Sequence, residues 1–323
     1  MIQFSADRIL QLRIFGKSPI GPYFRLNEWI WNHLPPSLKD LRPVRSYGHF
    51  LHALVRRWDN RRQYFGTFFL RNRPQLELIR RLSCQAQNAS TLRIAVFGCS
   101  NGAEVYSILA TLRSSRPELK VVLHAVDISK EVLEIAQKGA YSLTSPEFVG
   151  ERIFQRLSEV EINKMFDRTA DQVMVQPWIR EGIIWHLGDV RDPELLKLLG
   201  PQDILVANNF LCHMSPPVAE ACLRGIARFV KQGGFLVVSG IDLDVRTKVA
   251  TDLRWKPVRE LLEESHDGDP SLRRDWPMNY WGLEPLDKRR HNWIVRYAAA
   301  FQIGEVPMSS SSDSFVHDQR VAD

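Results

Sequence analysis

Cysteine and long apolar stretches are scarce in this sequence. Its 323 residues include four cysteines, Cys84, Cys99, Cys212 and Cys222, with no metal-type spacing between them, and we predict no metal site. No apolar run approaches the roughly 18 residues of a membrane-spanning helix, no signal-peptide pattern stands at the start, and no internal repeat is visible. These absences argue against a disulfide framework and a membrane span. We therefore expect a cytoplasmic protein with reduced thiols.

Positive charge is concentrated at one end of the chain. Residues 1–81 contain 15 lysines and arginines against 5 acidic residues, whereas the whole chain has a formal net charge of +6, so the remainder is net acidic. A basic segment of this kind favours an acidic protein partner. Nucleic acid is the alternative, because the same charges bind phosphates. No RNA-binding signature accompanies them, so we do not expect nucleic acid.

A glycine-bearing loop joins an apolar run to a helical pattern. Residues 92–97 read as a buried strand, residues 98–102 are Gly-Cys-Ser-Asn-Gly, and a helix is predicted over about 103–113. Gly98 and Gly102 permit a sharp turn and a close approach to a ligand, and the first N–H groups of the helix are free to donate. The loop predicts a small-molecule cofactor at the helix N-terminus, although such turns also occur for structural reasons alone.

Acidic residues follow the next two predicted strands. Asp127 ends the apolar run 121–126, 25 residues after Gly102, where a carboxylate suits the ribose of a nucleoside cofactor. Alternatively, Asp127 caps the following helix, predicted over 130–138. Asp189 and Val190 follow the strand-like run 182–186, where a carboxylate and an apolar edge suit an adenine ring.

The remaining pattern continues the alternation of strands and helices. A strand over 203–207 ends in Asn208 and Asn209, a helix is predicted over about 217–230, and a further strand over 235–239. Alternation of this kind predicts an α/β fold with a mainly parallel sheet and ligands at the carboxyl ends of its strands. The predicted organisation is a basic helical region (1–82), a main domain (83–304) with an insertion (about 142–186) and a Trp-rich segment (about 243–292), residues 293–301 as closing strands, and a disordered tail (305–323).

Four motifs between residues 66 and 240 carry a family resemblance. Residues 67–71 (Thr-Phe-Phe-Leu-Arg) resemble a Thr-x-Phe-Phe-Arg motif, and residues 98–108 resemble a Ser-Thr-Gly-Glu-Glu-Pro-Tyr-Ser-Ile loop. The series that begins with Asp127 and Ile128, and residues 203–214, match two further motifs. Together they resemble the CheR-type S-adenosylmethionine-dependent methyltransferases. The implied fold is a class I methyltransferase (Rossmann-like) fold with a small N-terminal helical unit and a small β insertion.

The resemblance implies a cofactor, an activity and a set of site residues. S-adenosyl-L-methionine would be the methyl donor and S-adenosyl-L-homocysteine the product. The family esterifies glutamates on bacterial chemoreceptors, so O-methylation of a carboxylate on an acidic protein acceptor is expected. By resemblance, Arg71 contacts the methionine end of the cofactor, Glu104 its ammonium group, Asp127 the ribose, and Asp189 with Val190 the adenine. The other predicted cofactor-binding residues are Thr67, Gly98, Ser100, Gly102, Ile128, Asn208 and Asn209, and the predicted catalytic residues are Arg71, Asn209 and His213.

Departures from the family cluster where the acceptor should bind. Asn208 replaces an arginine, His213 replaces a tyrosine, and Asp242 lies where the family has Gly-His-Ser-Glu. A carboxylate acceptor needs no base, since its reference pKa of about 4.3 leaves it ionised at neutral pH, whereas a hydroxyl or amine does. His213 is either such a base or a polar plug beneath the cofactor. A small-molecule methyltransferase and a non-catalytic, cofactor-binding regulatory module therefore stay open as alternatives.

The Trp-rich segment after residue 243 has two interpretations. Its aromatic and charged residues suit a lid or an acceptor pocket, because indole rings supply contact area and pair with guanidinium groups. Alternatively, the same rings pack a C-terminal helix and loop against the sheet. A nicotinamide-dependent oxidoreductase would also fit the sheet and Asp127, but not the loop at 98–106.

Overall fold

The computed structural model describes residues 20–59, 61–86, 91–144 and 153–304. The predicted tail lies outside the described residues. The N-terminal part is helical, as expected. Its helices are α1 (Ile20–His33), α2 (Pro36–Lys39), α3 (Arg42–Trp58) and α4 (Arg73–Ala86).

Strands and helices alternate through the rest of the chain. The first half contains β1 (Thr91–Phe97), α5 (Ala103–Ser115), β2 (Lys120–Asp127), α6 (Lys130–Lys138), β3 (Ala140–Ser142), α7 (Glu159–Met165), β4 (Phe166–Thr169), β5 (Gln172–Val175), α8 (Pro177–Arg180) and β6 (Ile183–Leu187). The second half contains α9 (Pro193–Leu199), β7 (Gln202–Asn208), a 3₁₀ turn (Leu211–His213), α10 (Pro216–Ile226), a second 3₁₀ turn (Ala227–Phe229), β8 (Val230–Ser239), α11 (Leu243–Asp252), β9 (Lys256–Pro257), α12 (Leu262–Asp267), α13 (Pro270–Arg274), α14 (Trp293–Tyr297) and β10 (Ala300–Gln302).

The main sheet has the strand order β6-β2-β1-β7-β8-β10-β9. Strands β6, β2, β1, β7 and β8 pair in parallel, and β10 is antiparallel to both β8 and β9. The strand order reverses direction between β1 and β7, which opens a crevice at their carboxyl ends. The class I methyltransferase fold is thereby confirmed. Strands β4 and β5 lie within the predicted insertion and form a separate antiparallel sheet with β3, which ends where the insertion begins.

The central strands are buried on both faces. Along β1, Ile94 and Val96 pack into one apolar core, while Ala95 and Phe97 pack into another on the opposite side of the sheet. Alternation of side chains along a strand explains this division. Helices cover both faces, so the carboxyl ends of the strands are the part of the sheet open to a ligand.

Two predicted elements differ in the structure. The segment 293–297, predicted as strand, is helix α14, and only residues 300–302 pair with β8. Its aromatic and branched residues favour a strand locally, but Arg296 and Tyr297 both bond to the buried Glu284, and that tertiary contact outweighs the propensity. The helix predicted over 217–230 ends at Ile226, because Val230 already pairs with Gln202 at the start of β8.

The tryptophans of the Trp-rich segment mainly pack the fold. Trp276 is buried, and its ring lies edge-on to Trp31, with the centroids 5.3 Å apart. A Cβ atom at Gly48 would lie 2.4 Å from the Trp276 ring, so glycine allows α3 to approach this closely. Trp255 is buried against Phe301. The packing interpretation is therefore correct for these two rings.

Several arginines of the basic end pair with acids of the protein itself. Arg56 and Arg61 pair with Asp242, Arg73 pairs with Glu161, and Arg80 and Arg81 both pair with Glu77. The count of basic residues in the sequence therefore overstates the positive charge available to a partner. Among the described residues, no helix is both long and apolar enough to cross a membrane.

Candidate cofactor and acceptor site

A large cavity lies at the carboxyl ends of the parallel strands. It has a volume of about 390 Å³, within the range of small-molecule sites. Twelve of the predicted site residues line it: Thr67, Arg71, Gly98, Ser100, Glu104, Asp127, Ile128, Asp189, Val190, Asn208, Asn209 and His213. The sequence patterns therefore converge on one place. Because β6 and β8 lie on opposite sides of β1, Asp189 marks one end of the cavity, the cofactor end, and the residues after β8 mark the other, the acceptor end.

Gly102 differs from the prediction, since it does not line the cavity. It precedes α5 with a φ of 86°, and a Cβ atom there would lie 3.0 Å from Ala136 and 3.1 Å from the ring of Tyr106. Its conformation and tight packing shape the loop from beneath. Gly102 therefore shapes the loop without contacting the cavity.

Backbone hydrogen bonds hold the loop at 98–102 in place. The N–H groups of Gly98 and Cys99 both donate to the carbonyl of Val126, at 2.9 and 3.1 Å. Gly98 has a φ of 67°, and a Cβ atom there would lie 2.8 Å from the ring of Phe210. Ser100 also has a positive φ, and its hydroxyl donates to the carbonyl of Phe65 at 2.7 Å. The loop is therefore bound to the strand beside it before any ligand enters.

Asp127 is buried at the end of β2 and accepts two backbone hydrogen bonds. Ser100 N–H donates to Oδ2 at 2.8 Å and Ser129 N–H donates to Oδ1 at 2.9 Å. The Asp127 carboxylate thus bonds to the backbone just before α6 and also lines the cavity. Burial raises the pKa of Asp127, against the effect of these bonds. Each oxygen retains a lone pair that a sugar hydroxyl can use.

Glu104 is the second acid of the cofactor end and belongs to a buried polar network. Its Oε1 accepts from Nδ2 of Asn208 at 2.6 Å, and the same Nδ2 donates to Gln75 at 2.8 Å. Ser239 Oγ donates to Oδ1 of Asn208 at 2.8 Å. Burial raises the pKa of Glu104, while Asn208 and the charge of Arg71 oppose the rise. Asn208 therefore orients Glu104, and the sequence did not indicate Gln75 or Ser239.

The segment 67–71 is attached to α5 and to the Trp-rich segment. Leu70 has a φ of 51°, and its N–H donates to Ser107 Oγ at 2.9 Å. Arg71 donates from Nε to Asp269 at 2.5 Å, and Arg156 donates to the same carboxylate at 3.0 Å. One buried acid thus serves two guanidinium groups. No signal in the sequence indicated Asp269, because it lies almost 200 residues from Arg71.

His213 is half-buried at the acceptor end and bonds to the Trp-rich segment. Its Nδ1 lies 2.7 Å from the hydroxyl of Tyr280, which donates to the carbonyl of Arg62 at 3.3 Å. In a neutral imidazole, one ring nitrogen carries the proton and the other is an acceptor. Burial and the charge of Arg61 lower the pKa of His213, so it is neutral at neutral pH.

Arg61 and Asp242 connect the N-terminal helices to this end of the cavity. The Arg61 guanidinium donates to the carbonyls of Cys212 and Met214, on either side of His213, at 3.1 and 2.7 Å. It also lies 2.9 Å from Asp242, and both side chains are buried. Asp242 therefore joins the surroundings of the site through Arg61 and does not merely begin a loop.

The donor set fits S-adenosylmethionine. Asp127 and Asp189 are carboxylates suited to a ribose and an adenine amine, Glu104 suits an ammonium group, and Arg71 suits a carboxylate. All four line the one cavity. Among the described residues, no group of three or more potential metal ligands is present.

Fold and cavity together define an S-adenosylmethionine-dependent methyltransferase of class I. A family model described as "CheR methyltransferase, SAM binding domain" matches residues 66–244, more than half of the chain. The chain therefore belongs to the CheR methyltransferase family, and S-adenosylmethionine is its cofactor.

Curated relatives match over part of their length. The chain is 27% identical over 148 residues to the "Probable biofilm formation methyltransferase WspC" of Pseudomonas aeruginosa, covering 46% of this chain and 33% of WspC. It is 28% identical over 174 residues to an uncharacterized 104.1 kDa protein of Rhodobacter capsulatus, covering 52% of this chain and 17% of that protein. Among solved structures, magnesium protoporphyrin IX methyltransferase from Synechocystis aligns with a TM-score of 0.33 at 16% identity, covering 67% of this chain and 86% of that one.

Proposed function

We propose that this methyltransferase esterifies a carboxylate on a protein acceptor. The observation that carries the proposal is the charge balance at the acceptor end. Asp242 faces both Arg56 and Arg61, and Asp269 faces both Arg71 and Arg156. Asp242 and Asp269 are thus each shared by two guanidinium groups, and Arg56 also pairs with Asp244. Arginines outnumber acids in these pairs, so the acceptor end is positive. A carboxylate is the acceptor that such a field favours.

For the cofactor, we propose the roles that the donor set suggests. Asp127 accepts from the ribose hydroxyls, Glu104 binds the ammonium group, and Arg71, positioned by Asp269, binds the carboxylate of the methionine end. Asp189 and Val190 flank the adenine. When bound, S-adenosylmethionine supplies a methyl group activated by a sulfonium.

Transfer to a carboxylate needs alignment and no base. An acceptor oxygen forms a bond to the methyl carbon while the carbon–sulfur bond breaks and its electron pair goes to sulfur, so no proton moves. The residues of the acceptor end therefore contribute by orienting the carboxylate. Asn209 has a φ of 58°, and Gly240, where a Cβ atom would lie 2.6 Å from Asn209 Oδ1, holds that side chain closely. We propose that Asn209 and Arg71 position the reacting groups.

A second candidate function follows from His213. A neutral imidazole has one unprotonated ring nitrogen, which can take the proton of a hydroxyl or amine and therefore fits a small-molecule acceptor. In the carboxylate mechanism, the same residue only fills space and bonds Tyr280. The two functions therefore differ in the product and in the importance of His213.

Labelled methyl groups separate the two candidates. Purified enzyme with methyl-labelled S-adenosylmethionine is incubated with a protein extract of the source organism, and the labelled protein is then treated with alkali. Esters release volatile methanol, so we expect base-labile label in the protein fraction, retained within about tenfold by His213→Gln and absent with Asp127→Ala. Base-stable label, or label in small molecules that His213→Gln eliminates, would instead support the second function.

A further inference from the structure

Part of the cavity, which we call its deep end, is lined by residues that none of the four family motifs contains. We use this name for the part lined by Arg246, Ser265, His266, Leu272, Leu283 and Tyr297. All six residues follow position 244, the last residue of the family match. The deep end is therefore built by the Trp-rich segment and the helix after it.

Arg246 is a buried cation without an acidic partner. It is 3% exposed, and its Nη1 and Nη2 donate to the carbonyls of Val238 and Arg296, at 2.9 and 2.6 Å. Its Nε has no hydrogen-bond partner. Within the described part of the chain, no carboxylate lies within 4 Å of its guanidinium. Burial and the nearby charge of Arg296 lower the pKa of Arg246 to about 9, which still leaves it cationic at neutral pH.

The acids near the deep end are already engaged. Both oxygens of Glu284 bond to Arg296, at 2.6 and 2.9 Å, and Tyr297 donates to the same carboxylate at 2.8 Å. Asp269 is shared between two arginines, as described above. Glu284 favours the charge of Arg246 from a distance, but its oxygens bond to Arg296, so among the described residues Arg246 has no ion-pair partner of its own. A buried charge without such a partner is costly.

Ser265 provides a second buried donor among the residues that line the cavity. It is 3% exposed, and its Oγ has no partner, while its carbonyl accepts from Asn72 at 2.8 Å. His266, beside it, donates from Nε2 to the carbonyl of Glu284 at 2.9 Å. A water molecule could satisfy the hydroxyl, but it would not balance the charge of Arg246. An anion with acceptor oxygens does both.

We infer that the deep end is the subsite that binds the acceptor's carboxylate, through Arg246 Nε and Ser265 Oγ. The apolar side chains of Leu272 and Leu283 suit the methylene stem of a glutamate-like group. This inference rests on the proposed function, because it names where the acceptor carboxylate of that function binds.

Calorimetry with a matched pair of probes tests the inference. The protein saturated with S-adenosylhomocysteine is titrated with N-acetylglutamate α-amide, which has a side-chain carboxylate, and with N-acetylglutamine amide, its uncharged isostere. We expect the acid to bind at least tenfold more tightly than the amide. Arg246→Met should remove that preference and Ser265→Ala should reduce acid binding about threefold to tenfold. Arg228→Met, a change at an exposed arginine, is the control and should leave binding unchanged.

Several results would overturn the inference. Equal binding of both probes, or no binding of either, would mean that the deep end does not bind the acceptor carboxylate. Variants that weaken S-adenosylhomocysteine but not 5′-methylthioadenosine, which lacks the amino-acid part, would assign Arg246 to the cofactor's carboxylate. Should Arg246→Met fail to fold, Ser265→Ala decides the question, because it removes only an unpartnered hydroxyl.

The proposed function can fail separately from this inference. Base-stable transfer of label, with the acid still preferred over the amide, would exclude esterification but retain an anion subsite. Base-labile transfer without any preference for the acid would retain esterification and reject the deep end as its binding place.

Discussion

The cofactor end and the acceptor end of the cavity are built in different ways. At the cofactor end, the N–H groups of the loop at 98–102 bond to the carbonyl of Val126 and the carboxylate of Asp127. At the acceptor end, Arg61, His213 and Arg246 come from three separate parts of the chain and are held by ion pairs and carbonyl bonds. The cofactor loop depends on local backbone geometry, whereas the acceptor end depends on long-range side-chain contacts.

This difference leads us to expect that the two ends can be altered independently. The loop, Asp127 and Glu104 lie within the matched residues 66–244. Arg61, Arg246 and Tyr280 lie outside them. A substitution at the acceptor end can therefore alter recognition without disturbing the loop that holds the cofactor. Three predictions test whether the two ends are separable in this way.

The largest effect is expected from Asp242→Asn at the acceptor end. The change leaves the buried Arg61 guanidinium without its ion-pair partner, which lies 2.9 Å away. Breaking a buried pair costs about 3–5 kcal/mol, so urea unfolding should show a loss of that order. At a temperature where the variant is folded, its affinity for S-adenosylhomocysteine should change less than threefold.

Asp252→Asn is the matched control, because Asp252 pairs with Arg224 and both are substantially exposed. Exposed pairs contribute about 1 kcal/mol or less. Equal losses for the two variants would contradict the stabilising role given to the Arg61–Asp242 pair. A large loss of cofactor affinity would break the separation of the two ends.

The next effect is expected from Asp127→Ala at the cofactor end. If the buried carboxylate accepts two ribose hydroxyls, its removal loses two charge-assisted hydrogen bonds of about 1.5–3 kcal/mol each. Calorimetric affinity for S-adenosylhomocysteine should fall at least about 100-fold. Glu194→Ala, at an exposed acid on α9, should leave the affinity unchanged. Undiminished binding by the Asp127 variant would reject the ribose role.

The smallest effect, and the one with a pH signature, is expected from Glu104→Gln. Glutamine can still accept from Asn208, but one charge-assisted bond of about 1.5–3 kcal/mol to the ammonium group is lost, so S-adenosylhomocysteine should bind about tenfold more weakly. Because burial raises the pKa of Glu104, the folded state disfavours its charge. The ligand-free variant should therefore gain stability relative to the wild type as pH rises above the unfolded value of about 4.3.

Urea unfolding of both proteins between pH 4 and 7 checks the sign. The stability difference should be close to zero at the acidic limit and should favour the variant increasingly toward neutral pH, until the folded pKa has been passed. A difference that is constant with pH would mean that the carboxylate is not penalised by burial.

Much of the fold was predictable because it rests on local patterns. Apolar runs at β1, β2 and β7 become central strands, and α6 has the predicted bounds 130–138. Parallel strands buried on both faces leave a continuous apolar signal in the sequence. The prediction of a strand at 293–297 was wrong because that segment depends on distant contacts. Arg296 and Tyr297 bond to Glu284, and the segment is a helix there.

The sequence by itself determined the loop and the ribose-side acid of the cofactor end, because a glycine loop, a strand and an acid at its end are defined by neighbouring residues. Only the tertiary structure decided the side-chain pairs that hold Arg71 at the cofactor end and His213 and Arg61 at the acceptor end. Asp269 meets Arg71, Tyr280 meets His213 and Asp242 meets Arg61, and each pair is separated by more than 60 residues. Pairs of residues this far apart leave no periodicity or characteristic spacing in the sequence. They can be recognised only once the fold has brought the segments together.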